Sequence, residues 1–128
     1  MTRLTLLISL AGVTLLPATA LTAQEGHLDS AVVRAATRML RSDLRNFVTA
    51  QEMYFADHTT YASSLHAMRE IYRPSPGVTL VLLTSSDMGH SEIAIYERVP
   101  GLVCAMYVGN APPPLGSGQE GEVVCRGP

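Results

Sequence analysis

The sequence has no tryptophan and few aromatic residues, with five tyrosines and two phenylalanines among 128 residues. Hydrophobic residues nevertheless make up 47% of the chain, so a folded core must be built mainly from Leu, Val, Ile, Ala and Met. No charge of one sign dominates, because the formal net charge is only −2. This near balance gives no global bias toward nucleic acid or acidic polymers. The length allows one domain at most.

The motifs typical of catalysis or metal binding are also missing. The histidines His27, His58, His66 and His90 are scattered, with no pair four residues apart and no HExxH motif, so their spacing predicts no metal site. No GxSxG motif surrounds a serine, and the glycine-rich segment 116–121 lacks the Lys-Ser/Thr end of a phosphate-binding loop. We therefore expect no cofactor and no enzymatic activity. A small secreted enzyme or enzyme inhibitor is the alternative from another functional class.

The N-terminus resembles an export leader. Arg3 precedes an uncharged run at 4–16, and small residues follow at 17–23. They offer two signal-peptidase cuts, after Ala20 or after Ala23. We favour the cut between Ala23 and Gln24, because it releases a polar N-terminus.

An uncleaved anchor is the alternative, because residues 4–23 are about long enough to cross a bilayer, which needs on the order of 20 residues. With cleavage, the chain divides into a signal peptide at 1–23 and a folded domain at 24–128. We then expect an exported protein, either periplasmic or extracellular. Contact with a membrane is expected only if the N-terminal segment is retained.

Cys104 and Cys125 are the only cysteines, so only one intramolecular pairing exists. An even cysteine count behind an export leader is typical of a disulfide. The spacing is neither CxxC nor close to a histidine pair, which disfavours a redox or metal role. Closing a loop of about 21 residues should contribute roughly 3 kcal/mol by restricting the unfolded chain.

A long amphipathic helix is predicted from about residue 30 to 55. Apolar residues recur there at spacings of three and four, and Gln51 is in register but polar. No glycine or proline interrupts the pattern. The predicted apolar stripe comprises Val33, Ala36, Leu40, Leu44, Phe47 and Tyr54, with Val48 and Phe55 at its edge.

The second half of the sequence has the pattern of a β-meander. Runs rich in β-branched residues alternate with turn-forming residues, and a loop rich in proline and glycine is expected at 109–118. One helix followed by short consecutive strands predicts an α+β fold in which the helix covers an antiparallel sheet. The four predicted strands are 78–84, 92–98, 102–108 and 122–125.

Four arginines form a ridge beside the apolar stripe of the helix. Arg34, Arg38, Arg41 and Arg45 are spaced four, three and four residues apart, which places them along one flank. Such a ridge can engage an acidic partner surface, a polyanion or anionic lipid. The alternative is a solvated flank whose aliphatic stems cover the edge of the core, with charge diluted by nearby acidic residues, Asp43 and Glu52.

Three segments carry a resemblance to a known family: the run DLRNFVTAQEMYFAD at 43–57, Thr60-Tyr61, and PGVTL at 76–80. Together they resemble the globular part of a type IV pilin or pseudopilin, and the resemblance extends over residues 32–125. It implies a helix packed on an antiparallel sheet, and a disulfide that pins the C-terminal region. It further implies a structural or binding role with a protein partner, such as a component of a pilus or secretion pseudopilus.

The N-terminus departs from the pattern of assembling pilins. Arg3 replaces the glycine before the processing point, and Ile8 occupies the position of the glutamate that pairs with a neighbouring subunit. We therefore expect a minor component or a free extracytoplasmic relative. A membrane-anchored, true pilin subunit with a degenerate leader is the alternative within the same fold.

Overall fold

The structure, a computed structural model, describes the backbone of residues 19–127 and the side chains of residues 30–127. The predicted leader and its cut between Ala23 and Gln24 therefore lie outside the residues whose side chains are described. The elements are a helix, α1 (Thr19–His58), a 3₁₀ turn (His66–Met68), and four strands, β1 (Val78–Ser85), β2 (Gly89–Tyr96), β3 (Val103–Gly109) and β4 (Val124–Arg126). This arrangement confirms the predicted α+β class.

Helix α1 buries the predicted apolar stripe. Leu40, Leu44 and Phe47 have no exposed surface, and they belong to one core cluster with Leu80 and Met106 of the sheet. Removing a buried leucine of this kind typically costs about 2–5 kcal/mol, because a cavity is left behind. The stripe is therefore the main attachment of the helix to the sheet.

The polar residue in the stripe, Gln51, is buried without penalty because the backbone of Ala62 satisfies its amide. The Ala62 N–H donates to Gln51 Oε1 at 2.8 Å, and Gln51 Nε2 donates to the Ala62 carbonyl at 3.1 Å. A buried amide with both ends paired avoids the desolvation cost of an unsatisfied group. This pair fixes the chain that follows the helix onto its last turns.

The helix ends at His58, three residues beyond the prediction. Thr59 adopts a left-handed conformation with φ of 58°, and its N–H donates to the Phe55 carbonyl at 2.8 Å. A left-handed residue at this position is the usual helix stop, but it is normally glycine or asparagine. A β-branched threonine there is strained, which explains why the sequence pattern did not mark the boundary.

The four strands form an antiparallel sheet in the order β1-β2-β3-β4, as predicted for a meander. Strand β2 begins at Gly89, three residues earlier than predicted, and ends at Tyr96. Its first residue approaches the partner strand so closely that a Cβ there would collide with the Val108 carbonyl. Gly89 is thus a close-approach position inside the sheet, although the sequence pattern predicted that this residue lies before the strand.

Candidate functional site

The arginine ridge lies on the surface, as predicted. Arg34, Arg38 and Arg45 are exposed, and Arg41 is half-buried. Arg34 donates to the Ser30 hydroxyl at 3.3 Å, and none of the four arginines forms an ion pair within residues 30–127. The guanidinium groups are thus available to an anionic partner, and their role in binding stays a prediction.

Asp43, one of the two acidic residues expected to dilute the charge of that ridge, is buried and does not lie on the surface beside the arginines. Its carboxylate is buried and accepts two hydrogen bonds from Ser75, from the backbone N–H at 3.0 Å and from the hydroxyl at 2.9 Å. These bonds hold the segment before β1 against the helix. Glu52 is also engaged, because the Tyr61 hydroxyl donates to it at 3.0 Å.

Cys104 and Cys125 form the predicted disulfide. The two residues are direct cross-strand neighbours on β3 and β4, so the bond fixes the short last strand to the sheet. The proline-rich loop before β4 is irregular, as predicted. It is anchored where Glu120 accepts from the Gly109 N–H at 2.7 Å and where the Gly121 N–H donates to the Tyr107 carbonyl at 2.9 Å.

The face of the sheet that points away from α1, called here the outer face, is almost free of charge. Residues on this face alternate with core residues such as Leu80, Ala94 and Cys104, which point toward the helix. The outer face carries one charged side chain within these rows, that of Arg126. Two cross-strand rows form it, Thr79-Ile95-Val103-Arg126 and Val81-Ile93-Ala105-Val124.

Three apolar side chains on the outer face are well exposed, whereas Ala105 on β3 is buried. Val81 is 39% exposed and Ile95 is 42% exposed, and Leu83 beside the β-bulge of β1 is 47% exposed. A groove of about 410 Å³ at the turn between β2 and β3 adjoins this face and is lined by Ile95 and Val103. An apolar surface continuous with a groove is typical of a protein interaction site.

A second unusual feature is a buried acid-base pair, formed by His90 and Glu92. Both side chains have no exposed surface, and Nδ1 of His90 lies 2.8 Å from Oε2 of Glu92. The sequence pattern predicted that His90 lies between two strands. In the structure, His90 belongs to β2. Because the two residues are separated by one position in a strand, both point to the helix side of the sheet.

Aromatic rings enclose His90. Tyr61 lies edge-on to it with ring centroids 4.6 Å apart, and Phe47 does the same at 6.1 Å. Phe47 in turn contacts Tyr72 at 5.2 Å. Three buried polar atoms of this cluster have no hydrogen-bond partner within the described residues: Tyr72 Oη, His90 Nε2 and Glu92 Oε1.

Burial raises the pKa of the Glu92 carboxyl, and the hydrogen bond from His90 offsets this only in part. Burial also raises the pKa of Tyr72, with a smaller contribution from the nearby carboxylates of Asp43 and Glu92. A carboxyl with a raised pKa beside a histidine is sometimes a catalytic feature. Here neither side chain reaches the surface, so a substrate has no access to the pair in the folded state.

The sequence pattern predicted neither the His90–Glu92 pair nor the residues that form the outer face, although the face of a sheet was one of the surfaces on which a partner was expected. The pair follows from the alternation of a strand that begins at Gly89, but the sequence placed the start of that strand at Glu92. The outer face follows from the cross-strand register, which becomes visible only when the strands are aligned. The outer face, the arginine ridge and the disulfide-bounded loop are three candidate surfaces for contact with a partner.

Within the described part of the chain, no three His, Cys, Asp or Glu side chains are arranged to hold a metal ion. No helix among the described residues is long and apolar enough to span a membrane. No family model matches the sequence, and a search of curated proteins finds no match.

Proposed function

We propose that this chain is an exported, non-enzymatic, pilin-like protein that acts by binding another protein. It serves either as a minor component of a type IV pilus or secretion pseudopilus, or as a free extracytoplasmic relative of such components. The resemblance of residues 43–57 and 76–80 to pilins motivates the family assignment. The helix packed on a four-stranded meander and the disulfide between Cys104 and Cys125 are consistent with it.

The single observation that carries the binding role is the exposed, nearly uncharged outer face. Burying apolar surface is worth about 25 cal/mol per Å², so a protein whose working state left Val81 and Ile95 in water would forgo a favourable interaction. The partner surface that fits this face is itself apolar and nearly uncharged at its centre. The groove beside Val103 accommodates one protruding side chain.

The disulfide supports an exported location. It joins two strands of the folded sheet, and such bonds persist in oxidising compartments and are rare in reducing ones. The arginine ridge lies on α1, which packs against the opposite side of the sheet. A partner on the outer face therefore leaves Arg38 and Arg41 free, and alanine at both positions should not change binding at the outer face.

Site-specific photocrosslinking in the native host tests the proposal. A photoreactive phenylalanine analogue replaces Ile95 on the outer face, and the matched control carries it at Met53, an apolar position on α1 that is even more exposed. We expect the Ile95 variant to crosslink to a component of a pilus or secretion pseudopilus, identified by mass spectrometry, and the Met53 variant to do so much less. The absence of an Ile95 adduct, or equal adducts from both positions, would contradict the proposed function.

A further inference from the structure

The two edges of the sheet differ in how they are protected. Strand β4 is only three residues long, carries Arg126 and is tied to β3 by the disulfide. Strand β1 has eight residues and, among residues 19–127, is paired on one side only, with β2. Unpaired backbone groups along an edge of this length are a template for another strand.

Strand β1 lacks the usual devices that discourage such pairing. Its sequence, VTLVLLTS, contains no charge and no proline. Val81 and Leu83 are among the large apolar side chains that the described residues leave exposed. Two features limit pairing to the first part of the strand. One is the β-bulge between Leu82 and Thr84, and the other is the segment 61–62, which is hydrogen-bonded to Ser85 and Ser86 at the end of the strand.

We propose that β1 pairs antiparallel with β1 of a second copy of the chain, about a two-fold axis at Val81. In this register Val81 lies opposite Val81 of the second copy, and Thr79 lies opposite Leu83. All of these side chains lie on the outer face and none of them is charged, so no like charges meet across the axis. A two-fold contact of this kind uses the same surface on both copies and closes as a dimer.

Charges beyond the ends of the strand favour a second copy as the occupant. The register brings the chain before β1 of one copy to the turn after β1 of the other. Arg73 lies on the first of these segments and Asp87 on the second, and both are exposed. Neither forms an ion pair within residues 30–127. In the dimer, each arginine therefore gains an aspartate of the other copy as a neighbour, once at each end of the contact.

The size of the contact predicts a reversible dimer. About five residues per copy, at roughly 3.4 Å each, give a contact some 17 Å long. A contact along one strand of this length buries less surface than a standard interface, which buries about 800 Å² per partner. We therefore expect a dissociation constant on the order of tens of micromolar, which corresponds to the weak, transient class of interfaces. The proposal does not depend on the pilin-like function.

Sedimentation velocity of the purified protein over a range from about 1 to about 300 µM tests the dimer. The wild-type protein should shift from monomer to dimer across this range. Val81→Lys places like charges opposite each other at the axis and should weaken association at least about tenfold. Val32→Lys is the matched control, since Val32 is an exposed valine on α1, and it should associate like wild type.

Oxidative crosslinking keeps the test decisive if Val81→Lys fails to fold. Val81→Cys should form a disulfide-linked dimer rapidly, because residue 81 meets its own copy at the axis. Ile95→Cys lies one strand inward and should crosslink slowly. A monomer at every concentration, or faster crosslinking through Ile95→Cys than through Val81→Cys, would overturn the proposal. Loss of the Ile95 photoadduct in the host, with the dimer intact, would instead contradict only the proposed function.

Discussion

Replacing His90 by leucine removes the one hydrogen-bond partner that Glu92 has inside the core. The two side chains are fully buried and joined at 2.8 Å, so the carboxyl is left without a partner among the described residues. Leaving a buried polar group without its partner typically costs about 1–3 kcal/mol, and more if the group is charged. Leucine has a volume similar to that of histidine, so the cavity contribution should be small. The loss is a large part of the 5–15 kcal/mol that stabilises a domain.

Replacing both members should recover most of this loss. In a His90→Leu/Glu92→Leu variant no polar group remains to be desolvated, and apolar replacements of buried pairs are often neutral or stabilising. The free energy of unfolding should therefore return to within about 1 kcal/mol of wild type. His66→Leu is the matched control, because His66 is exposed and its removal should change stability by less than about 0.5 kcal/mol.

The pH dependence provides a second, independent readout. The pKa of Glu92 is raised in the folded state, chiefly by burial, so the folded protein keeps a proton that the unfolded chain releases near pH 4.3. The stability from this proton is fully present below the unfolded pKa and is lost as pH rises to the folded pKa. Stability should fall with rising pH in that window, by at most about 1.4 kcal/mol per pH unit for one proton. Glu92→Gln should lack this slope.

Urea denaturation from about pH 4 to pH 8, with the disulfide intact, measures both effects. Tyr61 and Tyr72 are the other titratable groups beside the pair, and both have a raised pKa, so they stay protonated in this range. Two results would contradict the stabilising role assigned to the His90–Glu92 pair. One is a double variant as unstable as His90→Leu alone, and the other is a wild-type slope that Glu92→Gln retains.

Three further changes test individual features of the fold. Replacing both Cys104 and Cys125 by alanine should lower the free energy of unfolding by about 3 kcal/mol and speed amide exchange in β4, measured by denaturation and hydrogen exchange. Thr59→Gly should raise stability by up to about 1 kcal/mol by relieving the left-handed strain, whereas Thr60→Gly should not, as thermal melts can show. Asp43→Asn should lower the free energy of unfolding by about 1.5–3 kcal/mol, because the charged acceptor of two hydrogen bonds from Ser75 is lost. Urea titration measures this change, and an unchanged midpoint would contradict the role of Asp43 in holding the segment before β1.

Much of the fold could be predicted from the sequence, because periodicity reports directly on burial. The stripe that contains Leu40, Leu44 and Phe47 is repeated every three or four residues, and one face of a helix is the only arrangement that buries it. The order of the strands followed from short turns, which leave little choice but a meander. The disulfide followed from a count of two cysteines.

The remainder depended on contacts between distant residues. Asp43 pairs with Ser75 across 32 positions, and nothing in the local sequence distinguishes a carboxylate that turns inward from one on the surface. The burial of His90 depends on where β2 begins, which is set by the close approach of Gly89 to the neighbouring strand. Strand boundaries of this kind are fixed by pairing and not by local propensity.

The intact mass of the mature protein, together with its location in the producing cell, is the decisive measurement for an exported, pilin-like binding protein. The proposed exported, pilin-like binding protein predicts a chain that begins at Gln24, with Cys104 and Cys125 oxidised, in the extracytoplasmic fraction. A start at Leu21 is equally consistent with a cleaved leader. A retained apolar N-terminus, with the protein recovered in sheared filaments, would contradict the account and identify a filament subunit instead.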